Sequence, residues 1–255
     1  MDPAAIVGIV LGFGAIFGSM IMEGGQPGAL FLIPPIILVF GGTVGAAMGG
    51  SLMRDMKSLP KVVQRAFQAK PVSARDNVQV IIALADRARR EGLLALESEI
   101  GTIEDPFLRR ALEMAVDGTD ADEVAEILGA EIDAKRAADG VGAKLFSDMG
   151  GYAPTIGIIG TVIGLVHVLG SLSDAAALGP KIASAFVATL WGVMSANLLW
   201  FPLSNRLKRV SEQECEVMDL AIEGVLAIQA GSNPRLIAQK LQSMLPHDEA
   251  EKDVA

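Results

Sequence analysis

Four stretches of the chain contain no Asp, Glu, Lys or Arg: residues 4–22, 28–53, 150–172 and 182–203. At about 1.5 Å of rise per residue, each nearly spans or exceeds a hydrocarbon core of roughly 30 Å if helical. Long polar segments separate the second run from the third and follow the fourth. The alternation predicts an all-α membrane protein with four transmembrane helices, a helical cytoplasmic insert between the second and third, and a helical cytoplasmic tail. The expected divisions are 1–53, 54–149, 150–203 and 204–255. Pro34 and Pro35 stand near the start of the second run, where a first helical turn has no use for their missing amides, so they mark a helix entry. The first run has no basic segment before it and is followed by the turn Gly24-Gly25-Gln26-Pro27. It therefore reads as a retained span rather than a cleaved signal peptide.

The polar segments carry helix punctuation. Ser73 is placed to cap a helix whose apolar positions Val78, Ile81, Ile82, Ala85 and Ala88 form one stripe, ending at Gly92. Asp105-Pro106 opens a short helix that Gly118 closes, and Asp120 with Glu123 resembles a capping box starting a helix that runs toward the third span. After Pro202 the tail reads as helix to Ala230, then Gly231, then a last short helix from Asn233-Pro234 to Pro246. No alternating pattern long enough for a strand occurs.

Charge sets the orientation. Residues 1–53 hold no Lys or Arg, residues 54–149 hold 14, the short 173–181 connection holds one and the tail after residue 203 holds six. By the positive-inside rule the insert, the tail and both termini are cytoplasmic. The formal net charge of −9 argues against nucleic-acid binding. One cysteine (Cys215) and two histidines (His167, His247) exclude a disulfide scaffold and a zinc-finger type of site. No phosphate-binding loop, dinucleotide turn, HExxH or Gly-x-Ser-x-Gly is present, so an enzyme is not expected and no cofactor is implied.

Ion-coupled membrane machines carry an ionisable side chain at membrane depth. Here His167 is the only side chain in the four runs that ordinarily titrates near neutral pH, so a carboxylate on an ion path must come from another chain. What the third and fourth runs do carry is glycine and alanine at helical spacing: Gly157, Gly160 and Gly164 in one, Ala185, Ala188 and Gly192 in the other. Such faces let helix backbones approach closely. Thr161 and Thr189 lie on them. A membrane threonine more often bonds the carbonyl a turn earlier; the functional alternative is an oxygen ligand for a passing cation or a partner's carboxylate. Pro154 and Pro202 are either span boundaries or built-in bends. His167, with apolar neighbours, fits an interfacial or helix-bonded imidazole, and Cys215 an inert thiol.

Several segments together resemble the MotA/PomA family of flagellar stator subunits. They are residues 88–97 (ARREGLLALE), 114–118 (MAVDG), 152–166 (YAPTIGIIGTVIGLV), 185–192 (AFVATLWG) and 201–208 (FPLSNRLK). The resemblance implies an inner-membrane ion channel that drives the flagellar rotor. In it five copies surround two copies of a single-span, peptidoglycan-binding partner of the MotB/PomB kind, which carries the ion-binding aspartate. By position, Arg89 and Glu97 correspond to the charged residues that work against the rotor protein FliG. Eight residues apart across Gly92, they need not face one another. Pro154 and Pro202 match the prolines thought to couple ion binding to movement, and Thr161 and Thr189 the hydroxyls near the partner's aspartate. Sodium-driven members are similar in having Thr at 161, where proton-driven members commonly have Ala. The transported ion is Na⁺ or H⁺, and the extra hard oxygen favours Na⁺.

Three other readings remain open at this point. An ExbB/TolQ-type energiser of envelope transport has three spans and a different loop order. A secondary transporter would want a polar midplane cavity and internal repeats. A structural scaffold would conduct nothing.

Overall fold

The computed structural model describes residues 4–68, 73–170 and 175–245, and every regular element among them is helical. The first uncharged run is α1 (Ala4–Met22). The second is shorter than its hydropathy suggests: a 3₁₀ turn over Pro27–Leu30 precedes α2 (Ile33–Gly49), whose first turn holds Pro34 and Pro35. At about 25 Å, α2 falls short of a full crossing by itself. The prolines shorten it at one end and the glycine pair Gly49-Gly50 at the other. A π-helical turn, Ile37–Gly41, lies within it.

An element absent from the sequence reading comes next, α3 (Met53–Gln68). Its apolar positions are at helical spacing, but Pro60 in their midst obscured them. Then α4 (Ala74–Glu91) starts where expected, with Ser73 Oγ accepting from the Asp76 amide at 3.2 Å, and stops at Gly92, whose φ of +90° only glycine adopts readily. A 3₁₀ turn (Leu93–Leu96) and a single turn (Glu97–Ile100) follow. The helix α5 (Pro106–Val116) is capped by the Asp105 carboxylate, which accepts from the Phe107 amide at 2.8 Å.

From Ala121 the chain forms one 49-residue helix, α6 (Ala121–Leu169), joining the acidic stretch to the third apolar run without a break. The fourth run lies in α7 (Ala175–Ser195), a π-helical turn (Ala196–Trp200) and α8 (Phe201–Gln229). Last comes α9 (Pro234–Met244), capped by Asn233 accepting from the Arg235 amide at 3.0 Å. The expected stop at Pro246, His247 and the end of the third run at 171–172 lie outside the described residues. Among the described residues, three helices are long and apolar enough to cross a membrane: α1, α6 and the one running Leu178–Gln229; α2 is a shorter apolar helix.

The chain divides into two compact units, Met1–Lys70 with Asp139–Val210, and Pro71–Ala138 with Ser211–Ala255. Their limits differ from the hydropathy boundaries at 53 and 149, because α3 packs with the apolar helices. In the first unit, α3 lays Met56, Leu59, Val62, Val63, Ala66 and Phe67 against Phe146, Met149, Leu203 and Leu207. Arg65 forks onto Asp139, and buried Ser204 donates to the Ala143 carbonyl at 2.7 Å. Seven aromatic rings run through this unit in an unbroken series of neighbours: Phe13, Phe17, Phe31, Trp191, Phe40, Trp200 and Phe146. Trp191 also donates its indole N–H to the Leu30 carbonyl at 2.7 Å, fastening the turn before α2 to α7. The second unit has an aliphatic core in which α4, α5, α8 and α9 meet around Ile81, Leu108, Leu112, Leu220, Ile237 and Leu241. Cys215 is a buried free thiol there, packed as a small hydrophobe.

Candidate functional site

The small residues of the third and fourth runs face one another, and they do so at backbone distance. A Cβ placed on Gly157 would stand 2.9 Å from the Ala188 carbonyl oxygen, and one on Gly192 would stand 2.6 Å from that of Ala153. On Gly164 it would meet Ala185 Cβ at 2.5 Å. No larger residue fits these positions without moving a helix, which is the physical content of the four-residue glycine spacing.

This close approach brings Thr161 and Thr189 together. Their hydroxyls are hydrogen-bonded to each other, and Thr161 Oγ1 also reaches the Ala185 carbonyl of the opposite helix at 3.0 Å. Thr189 Oγ1 reaches across to the Gly157 carbonyl at 3.3 Å. Thr161 keeps a long contact to its own Gly157 carbonyl at 3.3 Å, so the ordinary intrahelical bond is present but shared. Two hydroxyls have two protons for these contacts, while their own lone pairs leave acceptor capacity unused. Both residues are half-buried. The arrangement is a cluster of four oxygens between two apolar runs, 150–172 and 182–203, that hold no carboxylate.

Pro154 and Pro202 sit inside continuous helices and terminate neither. Pro154 adjoins Ala153, whose carbonyl abuts Gly192. Pro202 follows the π-helical turn, in which the Phe201 amide bonds the Ala196 carbonyl five residues back. That wider turn accommodates a ring that would otherwise strike the carbonyl four residues earlier. The Asn197 amide side chain donates to the Val193 carbonyl at 2.8 Å just before it. Phe201 packs over Gly150, where a Cβ would lie 2.7 Å from its ring, so both prolines border the same helix pair.

In the second unit, Arg89 occupies the last turn of α4 and Glu97 begins the turn after the 3₁₀ segment. Both are exposed, and among the described residues neither forms an ion pair. The residues that do pair here escaped the sequence reading: Arg87 bonds Glu91 at 3.2 Å and also holds Glu99, bracing the bend between the helices. Leu94, at the bend itself, is 72% exposed and stands in the segment between Arg89 and Glu97. A second oversight is Thr43 on α2, fully buried with no partner for its hydroxyl. His167 is exposed, with Nδ1 3.1 Å from the Ile163 carbonyl, a helix-bonded imidazole. No group of acidic, Cys or His side chains that could hold a metal occurs among the described residues.

The family model described as the MotA/TolQ/ExbB proton channel family matches residues 99–220, and that described as Motility protein A N-terminal matches residues 6–92. Motility protein A of Bacillus subtilis is 37% identical over 247 residues, which cover 96% of this chain and 92% of that protein. Chemotaxis protein PomA of Vibrio alginolyticus is 34% identical over 245 residues, 96% of this chain and 94% of that one. Among solved structures, the flagellar MotAB stator complex from Bacillus subtilis has a chain that matches with a TM-score of 0.90 and 37% identity, over 97% of this chain and 98% of that one. The MotAB structure from C. jejuni matches with a TM-score of 0.93 and 31% identity, over 97% of each chain.

Proposed function

The chain belongs to the motility protein A family of flagellar stator subunits, and we propose that it forms a torque-generating ion channel with a MotB/PomB-type partner. The observation that carries the channel reading is the crossed Thr161–Thr189 cluster in spans without a carboxylate. Oxygens are supplied; the charge that binds the ion has to be brought.

In this proposal all four apolar runs cross the bacterial inner membrane, with α2 completed by the turn before it and with both termini cytoplasmic. Five copies surround two copies of the partner, whose aspartate reaches the two threonines. An ionised carboxylate at that depth is costly unless paired, so cation binding or protonation changes which packing of the helix pair is favoured. Pro154 and Pro202 lower the cost of bending there, because each removes one intrahelical hydrogen bond. Since α6 and α8 each contribute residues to both units, a shift of the pair has a covalent route to the insert. There Arg89 and Glu97, with Leu94 between them in sequence, engage FliG, and their lack of internal partners leaves their charge available. Sodium is the preferred ion, because a partly dehydrated Na⁺ gains a ligand from Thr161 that an alanine withholds.

The test is flux and swimming. Vesicles containing this chain and its partner should conduct under an activating variant of the partner, and vesicles containing this chain alone should not. Conduction without any partner would overturn the borrowed-carboxylate mechanism. Thr161→Ala should flatten the dependence of swimming speed on sodium concentration; an unchanged sodium curve removes the ion preference.

A further inference from the structure

The two faces of α3 are sharply divided. Its apolar face is buried against Ala47 near the end of α2, Phe146 and Met149 of α6, and Leu203 of α8. These partners all stand within a few residues of where an uncharged run meets a polar segment. On the four-span reading proposed above, on which this inference rests, α3 therefore lies at the depth where hydrocarbon gives way to phospholipid headgroups. Its other face carries Arg54, Lys57 and Lys61 at i, i+3 and i+7, continued by Gln64 and Gln68, and all five are exposed.

The charge of that face is not cancelled locally. Asp55 is the only acidic residue of α3; it is largely buried and lies 3.4 Å from Arg54, whose side chain is 81% exposed. Arg65, at the edge of the face, is engaged by Asp139. Lys57 and Lys61 have no acidic partner among the described residues. In a chain of net charge −9, this is a local reversal of sign at one depth.

We propose that the Arg54–Lys57–Lys61 face of α3 binds anionic phospholipid headgroups of the cytoplasmic leaflet. The ammonium and guanidinium groups meet the headgroup phosphates, while the buried apolar face holds the helix to the protein. A basic segment beside a span is favoured by an anionic surface roughly fivefold per cation, and the attraction is weakened by salt.

The experiment uses the full-length chain with its partner in phosphatidylcholine vesicles containing roughly a quarter phosphatidylglycerol, within the range where the surface is appreciably anionic. A fluorophore is attached at Gln64→Cys; the native Cys215 is buried and does not compete. Quenching by spin-labelled phosphatidylglycerol is compared with quenching by spin-labelled phosphatidylcholine. The wild-type face should prefer phosphatidylglycerol severalfold, and added salt should reduce the preference. Arg54→Gln, Lys57→Gln and Lys61→Gln together should bring it to parity, while Lys57→Arg with Lys61→Arg should retain it. If the triple variant aggregates, Lys61→Gln alone should show a partial loss. No preference in the wild type, or an unchanged one in the neutralised variants, overturns the proposal. So does a fall in the light-scattering mass of the neutralised complex at unchanged lipid preference, which would assign the face to contacts between copies. Ion flux through the same vesicles reports separately on the channel reading, so either failure is identifiable.

Discussion

Replacing Gly192 by alanine tests the packing on which the oxygen cluster depends. The added methyl would lie 2.6 Å from the Ala153 carbonyl oxygen and 3.1 Å from Gly157 Cα, and both obstacles are backbone. Relief to ordinary contact requires the two helices to part by about 0.8 Å at the crossing, since neither has a flexible side chain to yield. Overpacking of this kind costs typically about 1–3 kcal/mol, offset by about 0.5–1 kcal/mol that alanine contributes over glycine within a helix. The net is a loss of about 0–2.5 kcal/mol by the same figures. The same separation would carry the Thr161 hydroxyl, now 3.0 Å from the Ala185 carbonyl, beyond hydrogen-bonding range. Gly129, on α6 with nothing within 4 Å of a built Cβ, is the control: alanine there should stabilise. Thermal unfolding of the detergent-purified complex, read beside ion flux, gives both quantities. Gly192→Ala should melt lower and conduct less, and Gly129→Ala should melt no lower than wild type. If the two variants behave alike, the close crossing does not hold the site together.

Reversing Arg89 to Glu and Glu97 to Arg should reduce swimming torque while leaving the complex intact on gel filtration, because exposed charges contribute under about 1 kcal/mol each to stability; full torque in the double reversal would detach these residues from the rotor. Asp219, half-buried on α8, has its carboxyl pushed above the usual 3.8 by burial, opposed by Arg136 and reinforced by Asp133 and Glu223. A raised folded value means that the folded chain holds the proton more tightly, so the stability it contributes is complete below the unfolded value and is lost as pH rises through the raised one. Asp219→Asn should therefore raise the melting temperature at neutral pH and raise it less near about pH 4; equal gains at both would refute the burial argument.

Much of this protein is written locally. The cap at Ser73, the Asp105-Pro106 entry and the stop at Gly92 depend on residues within a turn or two, and each lies where its local chemistry places it. Local pattern is a poorer guide where a helix is punctuated against it, as at Pro60 in α3, and where a proline is interior to a longer helix, as Pro154 and Pro202 are.

By itself the sequence determined that charge is excluded from the apolar runs, that these runs hold no carboxylate of their own, and that glycine and alanine line the third and fourth. These follow from solvation and from side-chain size, which are properties of single residues. Only the tertiary structure decided that the two threonines bond across the helix pair, that α3 packs with the apolar helices and turns a basic face outward, and that Arg87, not Arg89, is held by Glu99. Those outcomes depend on which helix lies against which and at what distance, and a helix face records only that a neighbour is needed, not which one it will be.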